Sequence, residues 1–273
     1  MIELLLWPFV AGLVLTAMHA WFGLHVLARG VIFVDLALAQ VAALGITVAI
    51  LYGHPVQSEA AYWYALAFAG GGAVLFALAR PYEASMRQEA VIGIVYAVSA
   101  AAAVLVADRT PHGAEHLRSM LVGSILAVRG EEVFKVACLY AVIGLFHWLC
   151  RRPFLLISTN PDKAYDDGWR VRVWDFLFYA SFGVVVTSSV RIAGVLLVFS
   201  YLIVPTLAAN LLGGSVGRRL AVAWAFGTFV SVVAMAASAI LDFPTGATVV
   251  CAFGLMLLVL AVVTRAIGGA SPA

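Results

Sequence analysis

The chain has 273 residues, of which 64% are apolar and 11% charged, with a formal net charge of +2 and a mean hydropathy of +1.05. Soluble domains carry about 25% charged residues, so this composition excludes one. The net charge says little about partners, and nothing points to nucleic acid.

Repeated apolar runs of 17 or more residues predict an all-α, polytopic transmembrane helical bundle of about 8–9 spans. A membrane barrel would need alternating segments of ~10 residues, and these runs do not alternate. The first run, Met1–Ala20, lacks a basic start and carries Glu3, so it reads as a span and not as a secretory signal. In chain order the predicted segments are 4–22, 31–52, 60–80, 88–107, 131–150, 173–189, 192–212, 219–241 and 246–266. The sixth and seventh are parted only by Ser188–Arg191, which leaves one broken helix or a tight hairpin open. Leu117–Val128 is too short to cross and reads as interfacial or re-entrant. Cys138, Cys150 and Cys251 lie in apolar runs as small core hydrophobes.

With the N-terminus outside and nine spans, inner loops hold eleven of the Lys and Arg residues and outer loops five, which satisfies the positive-inside rule and leaves the C-terminus in the cytoplasm. The longest and most charged inner loop is Arg151–Trp174. Within it Ser158 followed by Asn160-Pro161-Asp162 reads as a helix start and Gly168 as its stop, giving a short amphiphilic helix along the membrane. The whole chain, 1–273, reads as a single membrane domain with this segment, near 158–172, on its inner side.

Few polar residues could carry chemistry. Asp35 and Gln40 fall in the second apolar segment, where an ionisable group costs at least ~2.5–3.5 kcal/mol. Five residues apart, they sit roughly 140° from one another around a helix, so they do not line one narrow face. Asp35 is six residues after Arg29, near enough for the inner interface to solvate it, and Gln40 reads first as helix-packing glue and second as an oxygen offered to a passing solute. Pro205 interrupts the seventh segment beside Ser200, Thr206 and Asn210. Discontinuous helices of this kind form transport sites, though a plain packing kink is the alternative. His112, Glu115 and His116 resemble a metal cluster because two His at i, i+4 share a helix face, but no third fixed ligand accompanies them and a solvated outer loop is the plainer reading. His19, His25, His54 and His147 lie on or beside spans and read as helix-contact residues. No phosphate-loop, HExxH, CxxC or GxSxG pattern is present, so the chain reads as a transport subunit and not an enzyme.

Several stretches together resemble the ABC-3 permeases of metal importers: Arg29–Gly45, Arg87–Ile94, Leu121–Leu126, Ser158–Gly168, Arg191–Leu211 (RIAGVLLVFSYLIVPTLAANL) and Leu241–Val249 (LDFPTGATV). The last two are the most specific, and the matches run in order along nearly the whole chain. The resemblance implies a BtuC-like permease fold and an importer for zinc, manganese or iron in a bacterial-type inner membrane. It implies a second permease copy or homologue, a cytoplasmic ABC ATPase that itself binds ATP and Mg, an external solute-binding protein, and no cofactor on this chain. Asn160, Asp162, Lys163, Asp166 and Gly168 would then contact the ATPase. Asp35, Gln40, Ser200, Pro205, Thr206 and Asn210 would border the pathway, with Asp35, and less strongly His112 and His116, as metal contacts. The sequence departs from the family where the metal would pass. Aligned on Gly45, Gln40 stands at the family's His, Leu36 at its Asp, and Ser124 replaces an acidic residue. A metal chelate or a non-metal solute therefore stays open as cargo, as does a channel or secondary carrier working without an ATPase.

Overall fold

The computed structural model describes residues 2–79, 88–110, 113, 115 and 125–268. Eleven α-helices are described: α1 (Ile2–Arg29), α2 (Val34–Leu51), α3 (Glu59–Leu78), α4 (Gln88–Ala107), α5 (Gly130–Leu149), α6 (Arg151–Thr159), α7 (Pro161–Asp166), α8 (Val171–Ala193), α9 (Val195–Leu212), α10 (Val216–Leu241) and α11 (Thr245–Gly268). Nine of them, all but α6 and α7, are long and apolar enough to cross a membrane.

The spans pack as two groups. In one, α2 is enclosed by α3, α4 and α8; in the other, α1, α9, α10 and α11 pack together. Helix α5 lies against α1 and α8. The most enclosed span, α2, has 67% of its apolar window buried, and the least enclosed, α11, has 11%. Apolar side chains cannot sort themselves toward a core when lipid is equally apolar, so close approach depends on small residues. Gly23 of α1 shows this: a Cβ there would overlap the Leu202 carbonyl oxygen and Thr206 Oγ1 of α9. Gly45 likewise lets α2 approach the backbone of α3 at Tyr64.

The structure corrects the boundaries in three places. Helix α1 continues past residue 22 to Arg29, because the polar groups of its last two turns are hydrogen-bonded inside the protein. Ser188–Arg191 is not the break between the sixth and seventh spans: both serines return their hydroxyls to carbonyls four residues back, and α8 runs on to Ala193. The chain turns instead at Gly194, whose φ of +79° suits glycine. Finally, the start of the inner loop is helical: α6 buries Phe154, Ile157 and Ser158 on one side. Helix α7 begins and stops as its residues predict. The Asn160 side chain accepts from the Lys163 N–H at 3.1 Å, Pro161 takes the first turn, and Gly168 follows with φ +76°. Residues 117–124 lie outside the described residues; Ile125–Ala127 form a 3₁₀ turn.

Candidate functional site

The densest polar cluster lies where α1 ends. Trp21, His25 and Arg29 repeat at i, i+4 and i+8, so they share one face of its last turns. That face meets α5, α6 and α8 together. Arg29 Nη1 lies 2.7 Å from Asp175 Oδ1 of α8, with both side chains almost fully buried. Its Nε donates to Ser158 Oγ of α6 at 2.8 Å, and its guanidinium carbon sits 4.0 Å from the Phe178 ring centroid. Breaking such a buried pair on one side costs about 3–5 kcal/mol, because the remaining charge stays desolvated.

Two histidines complete the junction, and their protons can be assigned from their partners. The indole N–H of Trp21 can only donate, so His147 Nδ1 accepts it at 3.1 Å and the His147 proton sits on Nε2, donating to Ser181 Oγ at 2.8 Å. Ser181 passes its own proton back to α8 carbonyls. At His25, Ser158 Oγ accepts from Arg29 and its own proton has no carbonyl acceptor among the described residues, so we assign that proton to His25 Nδ1, 2.8 Å away. That assignment leaves the His25 proton on Nε2, which has no partner among the described residues. Through one serine, the short α6 helix is tied to α1 and, via Arg29, to α8.

From Ser158 the chain passes directly into α7. Asn160, Asp162, Lys163, Asp166 and Gly168 are all exposed there, while Ala164 is buried against Ile157 and Val171. The five residues named for ATPase contact thus present one polar surface held from beneath by α6 and α8.

The pathway residues are arranged differently. Asp35 is not in mid-span but in the first turn of α2, where a carboxylate complements the helix dipole. Glu89 of α4 joins it at that helix start, its Oε1 accepting the Phe33 N–H at 3.3 Å. Asp35 is nonetheless 1% exposed, with Oδ1 unpartnered among the described residues. Gln40 is also buried. On α9, Ser200 and Thr206 donate to the Leu196 and Leu202 carbonyls of their own helix, at 2.9 and 2.6 Å. Pro205 packs against Gly227 of α10, so the kink is seated in helix contacts. Asn210 is exposed near the end of α9. The α2 and α9 sets are linked by stacked Phe33 and Phe199 rings, 6.4 Å apart, and not by a shared polar cluster. His112 and His116 lie outside the described residues; Glu115 is exposed. No group of three or more His, Cys, Asp or Glu suited to a metal ion occurs among the described residues.

A second polar chain crosses the bundle. His19 Nδ1 donates to the Leu15 carbonyl at 2.9 Å, its Nε2 lies 3.1 Å from Ser189 Oγ, and Ser189 in turn meets Tyr140 of α5. Ser188 pairs with Tyr62 of α3 at 2.9 Å. The histidines are thus helix-contact residues, as their apolar settings predict. Reading the sequence missed what they contact. The overlooked signal was Asp175, a carboxylate inside an apolar segment that needed a cation at the same depth, and Arg29 offered one.

The ABC 3 transport family matches residues 1–264 of the chain. Among solved structures, PsaBC from Streptococcus pneumoniae in complex with a Fab superposes with a TM-score of 0.77 at 19% identity, covering 94% of this chain and 90% of that one. A transporter assigned to the metal-chelate ABC type, in an inward-facing conformation, gives 0.72 at 19% identity, with 94% and 85% covered. At these identities the likeness is one of fold. No curated protein matches the chain. With nine membrane-length apolar helices among the described residues and the family match spanning nearly its full length, the chain is a multi-pass membrane permease belonging to the ABC 3 transport family.

Proposed function

We propose that the chain is the permease of an ATP-driven importer for transition-metal cargo, working beside a second copy or homologue in a bacterial-type inner membrane. A separate cytoplasmic ATPase, holding ATP and Mg, docks on Asn160, Asp162, Lys163, Asp166 and Gly168, and an external binding protein delivers the cargo. The N-terminus lies outside and the C-terminus in the cytoplasm, which puts α6 and α7 on the ATPase side. One observation carries the reading: the exposed surface of α7 continues into Ser158, which is hydrogen-bonded to Arg29 and His25 of α1 and thence paired to Asp175 of α8. A push on α7 is therefore delivered to two spans at once, without passing through a flexible loop.

Cargo would pass α2 at Asp35 and Gln40 and α9 at Ser200, Pro205, Thr206 and Asn210. Zinc, manganese or iron(II) is the first reading of that cargo. The second, a metal chelate, is favoured by Gln40 and Leu36 standing where the family has His and Asp, since an amide oxygen is a poor ligand for zinc. Uptake of each ion, free and chelated, by the reconstituted complex separates the two. Replacing Asp162, Lys163 and Asp166 together by alanine should leave insertion intact and abolish co-purification of the ATPase from native membranes. Undiminished co-purification would refute the docking surface.

A further inference from the structure

Beside the junction, a cavity of about 40 Å³ lies between three elements that the chain brings together: α1 at His25, α6 at Leu155 and Thr159, and the first turn of α10 at Val216 and Arg219. At ~10–15 Å³ per water, this is room for about three waters or one tetrahedral oxyanion. The cavity's unsatisfied polar atoms are all donors. His25, almost wholly buried, holds Nε2 without a partner among the described residues, and so does Arg219 at Nε. One turn beyond His25, Arg29 Nη2 is unpartnered as well. The 26-residue helix α10 begins at this wall, and the free N–H groups of a long helix add positive potential there. No residue lining the cavity carries a carboxylate.

Unpartnered donors with no carboxylate among the lining residues call for an anion with several acceptor oxygens, and a guanidinium beside a helix N-terminus suits phosphate. The depth agrees. The last turns of α1 and the first turn of α10 mark the level where the apolar spans end, and there lipid phosphates meet basic pockets between helices. We propose that this cavity binds a phosphate group, presented by an anionic lipid or as free phosphate, which bridges α6 to α10. Those two elements make no extensive direct contact, so the ligand would join α10 to the short helix that leads into α7.

The test uses the purified full-length chain without ATPase, so its failure is separate from any failure of the docking surface. Native mass spectrometry would follow retention of phosphatidylglycerol, phosphatidylcholine and inorganic phosphate. Two variants are compared: Arg219→Gln removes a donor, and Thr159→Glu supplies a carboxylate of the chain's own to the cavity mouth. Both sites are at the periphery, and an unchanged melting temperature without added ligand verifies folding. The proposal predicts one tightly retained phosphatidylglycerol per chain, weakened about tenfold or more in each variant. Tight binding of inorganic phosphate that both variants weaken, with no lipid retained, would support the site and assign it to the free anion. Equal retention of every probe by wild type and variants, or retention of none, would overturn the proposal.

Discussion

At the end of α1, Arg29 finds Asp175 at 2.7 Å and Ser158 at 2.8 Å, and His147 uses both ring nitrogens. Along α2, Asp35 keeps Oδ1 without a partner among the described residues, and Gln40 is buried about one and a half turns further on. Both regions bury polar groups among apolar helices, at similar cost. The junction recovers most of that cost from within the chain, with His25 Nε2 and Arg29 Nη2 left unpartnered among the described residues, and so acts as a strut between α1, α6 and α8. On α2 the Asp35 Oδ1 has no side-chain cation or donor among the described residues to meet it, which suits a residue whose partner is something passing, such as water or cargo. The contrast separates residues that fix helices from residues that remain available.

The largest break should come from the strut. Asp175→Ala leaves Arg29 buried without its counter-ion and is expected to lose about 3–5 kcal/mol, while the paired replacement Arg29→Met with Asp175→Leu recovers most of it. Thermal unfolding of the purified chain reads both. Next is the α1–α9 contact: Gly23→Ala forces a methyl into the Leu202 carbonyl and should cost about 1–3 kcal/mol by the same measurement. Gly70→Ala, with open space around its Cβ position, should not destabilise. On α2 the expected effect on stability is smallest, because no ion pair or side-chain partner like that of Arg29 is lost. Asp35→Asn and Gln40→Ala should each leave the melting temperature and membrane abundance near wild type while lowering uptake in the reconstituted complex. Unchanged uptake in both would remove α2 from the pathway.

The spans were legible because ~20 apolar residues are a strong signal, and α7 was legible because Asn160, Pro161 and Gly168 are local cap and stop residues whose effect does not depend on the rest of the fold. Helix α6 was not: Arg151, Arg152 and Pro153 read as loop residues, and only packing of Phe154 and Ile157 against α1 and α8 makes nine residues hold a helix. The break at Gly194 was hidden by the more polar Ser188–Arg191, whose hydroxyls are satisfied within α8. Arg29 looked like a loop cation marking topology, and its pairing with Asp175, 146 residues away, is a tertiary fact that spacing cannot show. Asp35 was visible as an anomaly in an apolar run, but its place in a first turn depended on where α2 starts, and Phe33 gives no side-chain cap to mark that point.

Ser158 tests the central claim most directly, since it alone ties α6 to both Arg29 and His25. Removing its hydroxyl by Ser158→Ala should cost about 1–3 kcal/mol, leaving the fold and the exposed α7 surface in place. ATP hydrolysis and cargo uptake would be measured together in the reconstituted complex. Coupling through this residue predicts that hydrolysis persists while uptake per ATP falls several-fold. An unchanged ratio of uptake to hydrolysis would contradict it.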